Sequence, residues 1–188
     1  LKGAALHAIG VYAPGDRPMA DIDLLVRDDD MPRMGALLEE LGYEGTYAVW
    51  KHGVFKPREA QPVWSLGEHR DTPVNIELHG HIHERLPVSI VAVTDTVFPA
   101  RPHPGLNAYP SHGALMTHLL LHAAGNVSTR TLRLIHLNDI AVLAARMTLA
   151  DWETLWSRGN PWWAWPVLRL VARYYRSAIP AAVLKRAR

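Results

Sequence analysis

The chain has 188 residues, 48% of them apolar, with a formal net charge of +2 and no cysteine. That is enough length to bury a core in one domain or two small ones. The composition excludes disulfides and thiolate metal sites, no apolar run approaches the roughly 20 residues of a membrane span, and the small positive charge, part of it at Lys185, Arg186 and Arg188, makes no nucleic-acid-binding stripe. These features set the expectation of a cytoplasmic protein with neither a membrane nor a nucleic acid as partner. No signal peptide is visible before the first motif, and the chain opens without an initiator methionine, so its first domain is expected to have a truncated start.

Taken in chain order, residues 3–11 suit a short helix, ended by Ala13-Pro14-Gly15-Asp16-Arg17-Pro18. Residues 22–26 form the clearest strand. Residues 32–41 show helical spacing through Met34, Leu37, Leu38 and Leu41, opened by three aspartates and closed by Gly42. Strands are expected over 47–54 and 62–66. Residues 74–81 alternate, with Val74, Ile76 and Leu78 on one face and Asn75, Glu77, His79 and His81 on the other. A proline-rich connection over 99–110 then separates two textures. Beyond it the pattern is helical: a helix opened by the N-cap Ser111 and stopped at Gly125, a second over 128–147, a third starting near Thr148, and a last one over 162–185. The domains expected are therefore 1–98, an α/β unit, and 111–188, a helical one.

Chemistry is suggested first by Asp21 and Asp23. Two residues apart on a strand, they share one face, while Ile22, Leu24 and Val26 point to the other. Like charges side by side repel, and burying them unpaired is costly; a divalent cation with oxygen ligands makes the arrangement favourable. Glu77 stands on the polar face of another strand in the same way. By spacing alone, a metal site and a solvated strand edge with Glu77 paired to an arginine both remain open. His79, His81 and His83 have spacing that could hold zinc, which leaves a metal-dependent hydrolase as a further alternative. His118 and His122, one helical turn apart, read as a metal pair or as a polar helix seam. Arg133, His136 and Asp139 recur every third residue as a polar seam across an apolar helix, and buried polar groups must find partners. The late tryptophans, Trp152, Trp156, Trp162, Trp163 and Trp165, read as core anchors or as a contact between copies in a homo-oligomer.

The stretches Leu1-Lys2-Gly3-Ala4-Ala5-Leu6, then Gly15-Asp16-Arg17-Pro18-Met19-Ala20-Asp21-Ile22-Asp23-Leu24-Leu25-Val26, then Val74-Asn75-Ile76-Glu77-Leu78-His79 resemble the nucleotidyltransferase superfamily of the polymerase β type. More closely they resemble a bacterial family of uncharacterised nucleotidyltransferases. The resemblance continues into the helical half, where His122, Arg133 and Asp139 fall at matching places, and it covers the chain to about residue 147. It implies an α/β (α+β) palm, a mixed β-sheet flanked by helices, followed by a C-terminal helical domain. It implies transfer of NMP from a nucleoside triphosphate to a hydroxyl-bearing acceptor, a small molecule, peptide or protein, with release of pyrophosphate. Asp21, Asp23 and Glu77 would be the catalytic residues and ligands of Mg²⁺ or Mn²⁺; Lys2, Gly3, Arg17 and His79 would contact nucleotide; His122, Arg133 and Asp139 would line the cleft or support it. Ala4 follows Gly3 where the superfamily carries a turn serine, which leaves as the alternative a catalytically degenerate module that binds nucleotide or a partner without turnover.

Overall fold

Alternation of apolar and polar residues builds the first half of the chain. The computed structural model describes residues 1–48, 50–59 and 73–186, and their contacts divide into two compact units, Leu1–Ile82 and His83–Arg188. In the first unit a helix α1 (Lys2–Ala8) precedes strand β1 (Asp21–Leu25); a 3-10 turn (Asp28–Asp30) leads into α2 (Met31–Glu40), and β2 (Tyr43–Ala48), β3 (Gly53–Pro57) and β4 (Asn75–His79) follow. The four strands form one mixed sheet in the order β1-β4-β3-β2: β1 is parallel to β4, and β3 is antiparallel to both its neighbours. One face carries Leu24, Val26, Phe55, Ile76 and Leu78, which pack with Met31, Met34 and Leu38 of α2 into a single apolar cluster. Period-two strands and a helix with apolar residues three and four apart meet there by design of the pattern. The opposite face is left to α1, which packs on β1 and buries Leu6 completely.

The single strand expected over 47–54 is instead the end of β2, a turn and the start of β3. No turn-forming dipeptide such as Asn-Gly marks the reversal; Trp50, Lys51 and His52 occupy it, ahead of Gly53. A bulge at Thr46 shifts the β2–β3 register between Gly45 and Tyr47. The strand expected over 62–66 lies outside the described residues.

The second unit opens with a hairpin of β5 (His83–Arg85) and β6 (Ile90–Ala92) and a short helix α3 (Thr94–Val97). Then come α4 (His112–Thr129), α5 (Leu134–Ala144), α6 (Leu149–Trp156), α7 (Trp165–Tyr174) and α8 (Ala181–Arg186). Helix α4 is apolar on nearly every side, and such a helix must be enclosed; β5, α3, α5, α6 and α7 all pack on it. Ser111 caps it, its Oγ accepting the Ala114 N–H at 3.1 Å.

Gly125 does not end α4 as its place in the sequence suggests. The helix runs on to Thr129 and closes at Arg130 in the left-handed conformation, φ 60. Gly125 serves close approach instead: a Cβ there would stand 3.0 Å from the Glu84 Cγ, so the missing side chain makes room for that buried residue. Residues 128–133, expected in the next helix, fall in the end of α4 and the connection after it. Helix α6 starts as expected, with Thr148 and Asp151 exchanging hydrogen bonds across its first turn (2.8 Å from the Thr148 N–H to Asp151 Oδ2). The last helical stretch is broken: Ser177 takes φ 64, and Pro180, which has no N–H to donate, precedes α8.

Of the tryptophans, Trp152 and Trp163 are buried anchors, while Trp156 and Trp165 lie under the guanidinium groups of Arg186 (4.5 Å) and Arg169 (5.1 Å). Among the described residues, no helix is long and apolar enough to cross a membrane.

Leu38 is the α2 side chain most deeply set in the sheet-facing cluster. Truncation to alanine there is expected to lower unfolding free energy by about 3 kcal/mol in urea titration, whereas Leu41→Ala, at a position 66% exposed, is expected to change it by no more than about 0.5 kcal/mol.

Candidate active site

Parallel pairing of β1 with β4 sets Asp23 directly beside Glu77 and Asp21 beside Asn75. Because paired residues project to the same side of a sheet, Asp21, Asp23, Glu77 and His79 share the face opposite the α2 core. The antiparallel pairing of β3 with β4 matches Val54 to Glu77 and Gly53 to Leu78. Continued by one residue it carries His52, at the mouth of the hairpin, across from His79. The two imidazoles do meet, with ring centroids 4.7 Å apart.

Asp23 is 3% exposed, and a buried carboxylate survives only with partners. It has two: its Oδ1 lies 2.8 Å from the Lys2 ammonium and 2.8 Å from His79 Nε2. Burial alone would push the Asp23 carboxyl up, but the neighbouring Lys2 charge and the His79 hydrogen bond hold it well below its ordinary value of 3.8. Burial likewise works against the charged forms of Lys2 and His79, and is outweighed. Asp23 raises Lys2, and hydrogen bonds to Asp23 and Glu77 raise His79 above 6.5. His79 Nε2 stands 3.6 Å from Glu77 Oε2, and His52 Nε2 stands 3.3 Å from the same oxygen. For His52 burial prevails over the Glu77 charge, and its pKa is lowered from 6.5, so this imidazole is neutral at pH 7.

Lys2 and Gly3 begin α1, with Lys2 held at φ 42, a conformation that L residues rarely adopt. Gly3 gives its space to Arg17: a Cβ on Gly3 would stand 2.7 Å from the Arg17 Cζ. The loop that carries Arg17 is tied back to the helix by the His7 Nε2 to Arg17 carbonyl hydrogen bond of 3.0 Å. Lys2, Gly3 and Arg17 are thus gathered at the start of α1, with the Lys2 ammonium on Asp23.

The donor atoms of His52, Glu77 and His79 all lie within 4.8 Å of one another, a group that could hold a metal ion. A model of the uncharacterised nucleotidyltransferase family matches residues 1–180. The chain belongs to that family. No curated protein matches it. Among solved structures it is similar to the solution structure of the antibiotic-resistance factor ANT(2'')-Ia, at 13% identity, with a TM-score of 0.50, over 91% of this chain and 79% of that one. The likeness is one of fold: a mixed sheet flanked by helices and followed by a helical region, as the observed elements have it. The protein is therefore of the nucleotidyltransferase fold and carries a candidate metal-binding triad.

Other residues singled out in the sequence fall elsewhere. His81 lies beyond β4 and pairs with Asp28 at 3.2 Å, and His83 belongs to β5 in the second unit, so the regular row of three histidines is not one cluster. In the second unit His122 Nδ1 stands 3.8 Å from Glu84 Oε1, and its ring meets that of His136 edge-on at 5.1 Å. Asp139 is deeply buried, whereas Arg133, just before α5, is exposed, with its backbone N–H on His136 Nδ1. His118 Nδ1 meets the Tyr109 hydroxyl at 2.7 Å. The residue that sequence reasoning missed at the sheet is His52; only recognition of the hairpin would have brought it across from His79.

These couplings have opposite pH signatures in the metal-free chain. Asp23 contributes stability that is fully present above pH 3.8 and is lost as pH falls toward its depressed value. His79 contributes stability that is present below pH 6.5 and is lost as pH rises through its raised value. Asp23→Asn leaves the Lys2 ammonium without its carboxylate, an expected loss of about 3 kcal/mol. By NMR titration His79 should have its midpoint above 6.5 in the parent chain, and a lower one in Asp23→Asn.

Proposed function

We propose that the protein is a metal-dependent nucleotidyltransferase that moves NMP from a nucleoside triphosphate to a hydroxyl-bearing acceptor. The observation that carries this reading is the β1–β4 register, which holds Asp23 and Glu77 abreast on one sheet face with Asp21 two residues away. The donor set suits a divalent cation because its carboxylates lie side by side on one sheet face, and the buried Asp23 already attracts a cation there, the Lys2 ammonium at 2.8 Å. In this reading Asp21, Asp23 and Glu77 hold Mg²⁺ or Mn²⁺. The bound ion supplies neutralisation of the charge that develops on the transferring phosphoryl group.

The chain's own residues do the rest. Lys2 and Arg17 contact the phosphates, a role suited to cations, and Gly3 makes room for the Arg17 guanidinium. His79 orients Glu77 or a phosphate oxygen. Glu77 takes the proton of the acceptor hydroxyl as its oxygen forms the new bond to the α-phosphate, and the bond to pyrophosphate breaks. The acceptor is a small alcohol, a peptide or a protein side chain. Family membership and a shared fold with an antibiotic-resistance factor support the reaction class.

Calorimetry of ATP and GTP binding, with and without Mg²⁺ or Mn²⁺, tests the reading. Binding is expected only with metal and is expected to be lost in Asp23→Ala, with pyrophosphate released once an acceptor is supplied. Metal-independent binding that survives Asp23→Ala would overturn it, and metal-dependent binding with no pyrophosphate release from any acceptor would favour the degenerate module. Gly3→Ala should weaken triphosphate binding about as much as Arg17→Ala, and the two together should be far from additive, because the first acts by moving the second.

A further inference from the structure

One side chain of strand β2 faces the wrong way for its place in the pattern. Tyr43 and Phe55 pack with the α2 cluster, and Gly45 pairs with Phe55, so positions 43 and 45 face the core. Strict alternation would send Tyr47 there too. The bulge at Thr46 prevents it: beyond the bulge Tyr47 pairs with Val54, Val54 with Glu77, and Glu77 with Asp23. A shift of one residue turns a side chain to the other face, and Tyr47 stands on the carboxylate face, 56% exposed. The Thr46 hydroxyl donates to the Val54 carbonyl at 3.2 Å and pins the bulge. Bulges that re-aim a side chain are over-represented beside active sites. Lys56, two residues from Val54 and so on the same face, holds its ammonium 5.9 Å from the centre of the Tyr47 ring.

The row Tyr47, Val54, Glu77, Asp23 crosses the whole sheet, and its two ends differ. At the β1 end stand the cations, Lys2 on Asp23 at 2.8 Å and Arg17 against Gly3, and a departing pyrophosphate belongs with them. In phosphoryl transfer the attacking and leaving oxygens lie roughly in line. The acceptor hydroxyl therefore arrives from the opposite end, over β4 and β3, where Tyr47 presents an exposed ring. Two inter-strand spacings, about 10 Å, separate the backbones of Tyr47 and Glu77, with the buried Val54 as the floor between them. That span takes one ring-sized molecule resting on the tyrosine with a hydroxyl at Glu77. An open-chain alcohol has no flat face to lay on an aromatic side chain.

We propose that Tyr47 is the platform for the acceptor, and that the acceptor is a cyclic alcohol or phenol whose hydroxyl is carried on the ring that rests there. The proposal rests on the transferase reading and narrows its acceptor. The ring-borne oxygen forms the bond to the α-phosphate, its proton passes to Glu77, and the bond to pyrophosphate breaks toward Lys2 and Arg17.

NMR of the full chain with ¹³C-labelled tyrosine reads the contact without any need for turnover. The ring probes are myo-inositol and phenol; D-sorbitol, with a hydroxyl on every carbon but no ring, is the control. Each is added with and without Mg²⁺ and the α,β-methylene analogue of ATP. Intermolecular Overhauser contacts to Tyr47 are expected from one ring probe or both, and not from sorbitol. Affinity for that probe should fall at least about fivefold in Tyr47→Ala, the low end of stacking on an aromatic side chain, and recover in Tyr47→Phe. Affinity for the ATP analogue should stay within about twofold in Tyr47→Ala, the scale of a surface substitution away from the ligand. Contacts from neither ring probe, or equal contacts from sorbitol, would overturn the proposal, and metal-dependent nucleotide binding would then leave the transferase reading standing. A fall of about fivefold or more in affinity for the ATP analogue in Tyr47→Ala, with tripolyphosphate affinity unchanged, would assign the ring to the nucleobase and overturn it too. Absence of metal-dependent nucleotide binding in the parent chain would instead remove the transferase reading on which the proposal rests.

Discussion

A buried carboxylate in need of cations organises the first unit. Asp23 is placed by β1, and β1 is placed by its apolar neighbours, which must face α2. Once the core face is fixed, the period of the strand leaves Asp23 no alternative but the opposite face. There it requires compensation, and the start of α1 and the end of β4 supply it through Lys2 and His79. Helix α1 and the sheet are thereby held in one arrangement by a charge as well as by the fully buried Leu6, and the loop carrying Arg17 is tied to α1 through His7. The same sheet face carries the candidate metal-binding group of His52, Glu77 and His79, which the His79–Asp23 hydrogen bond joins to this ion pair.

The second unit solves a different problem. Its central helix is apolar around nearly its whole circumference, so stability there comes from enclosure, and several enclosed polar groups are paired, while the buried Trp152 Nε1 has no hydrogen-bond partner among the described residues. Asn126 donates to the His122 carbonyl at 2.8 Å, Thr117 donates to the Gly113 carbonyl at 2.8 Å, and the Tyr109 hydroxyl meets His118. Each satisfies a group that the surrounding helices would otherwise strand away from water.

Much of this was legible in the sequence, and what was not has physical causes. Alternation in residues 21–26 and 74–81 revealed two strands and assigned their faces, since a period of two is unambiguous where one face is apolar. The carboxylates were found by the same logic. The hairpin was hidden because Trp50, Lys51 and His52 form a reversal without glycine, asparagine or proline, so two strands read as one and His52 went unnoticed. Strands β5 and β6, three residues each, are too short to show a period. Gly125 misled because glycine signals a helix end through its backbone freedom, whereas here its use is steric. The polar seam of Arg133, His136 and Asp139 was visible as a spacing, but the periodicity of a nearly all-apolar helix says little about which members are enclosed; Asp139 is and Arg133 is not.

The fit of Glu84 over Gly125 links two positions forty-one residues apart in one unit. A family member with any side chain at the helix position has no room for a long carboxylate on the hairpin, so the two sites are expected to drift together rather than singly. Substitution patterns across the family should therefore register this contact as a correlated pair, and that correlation would fix the docking of the hairpin on α4 from sequences alone.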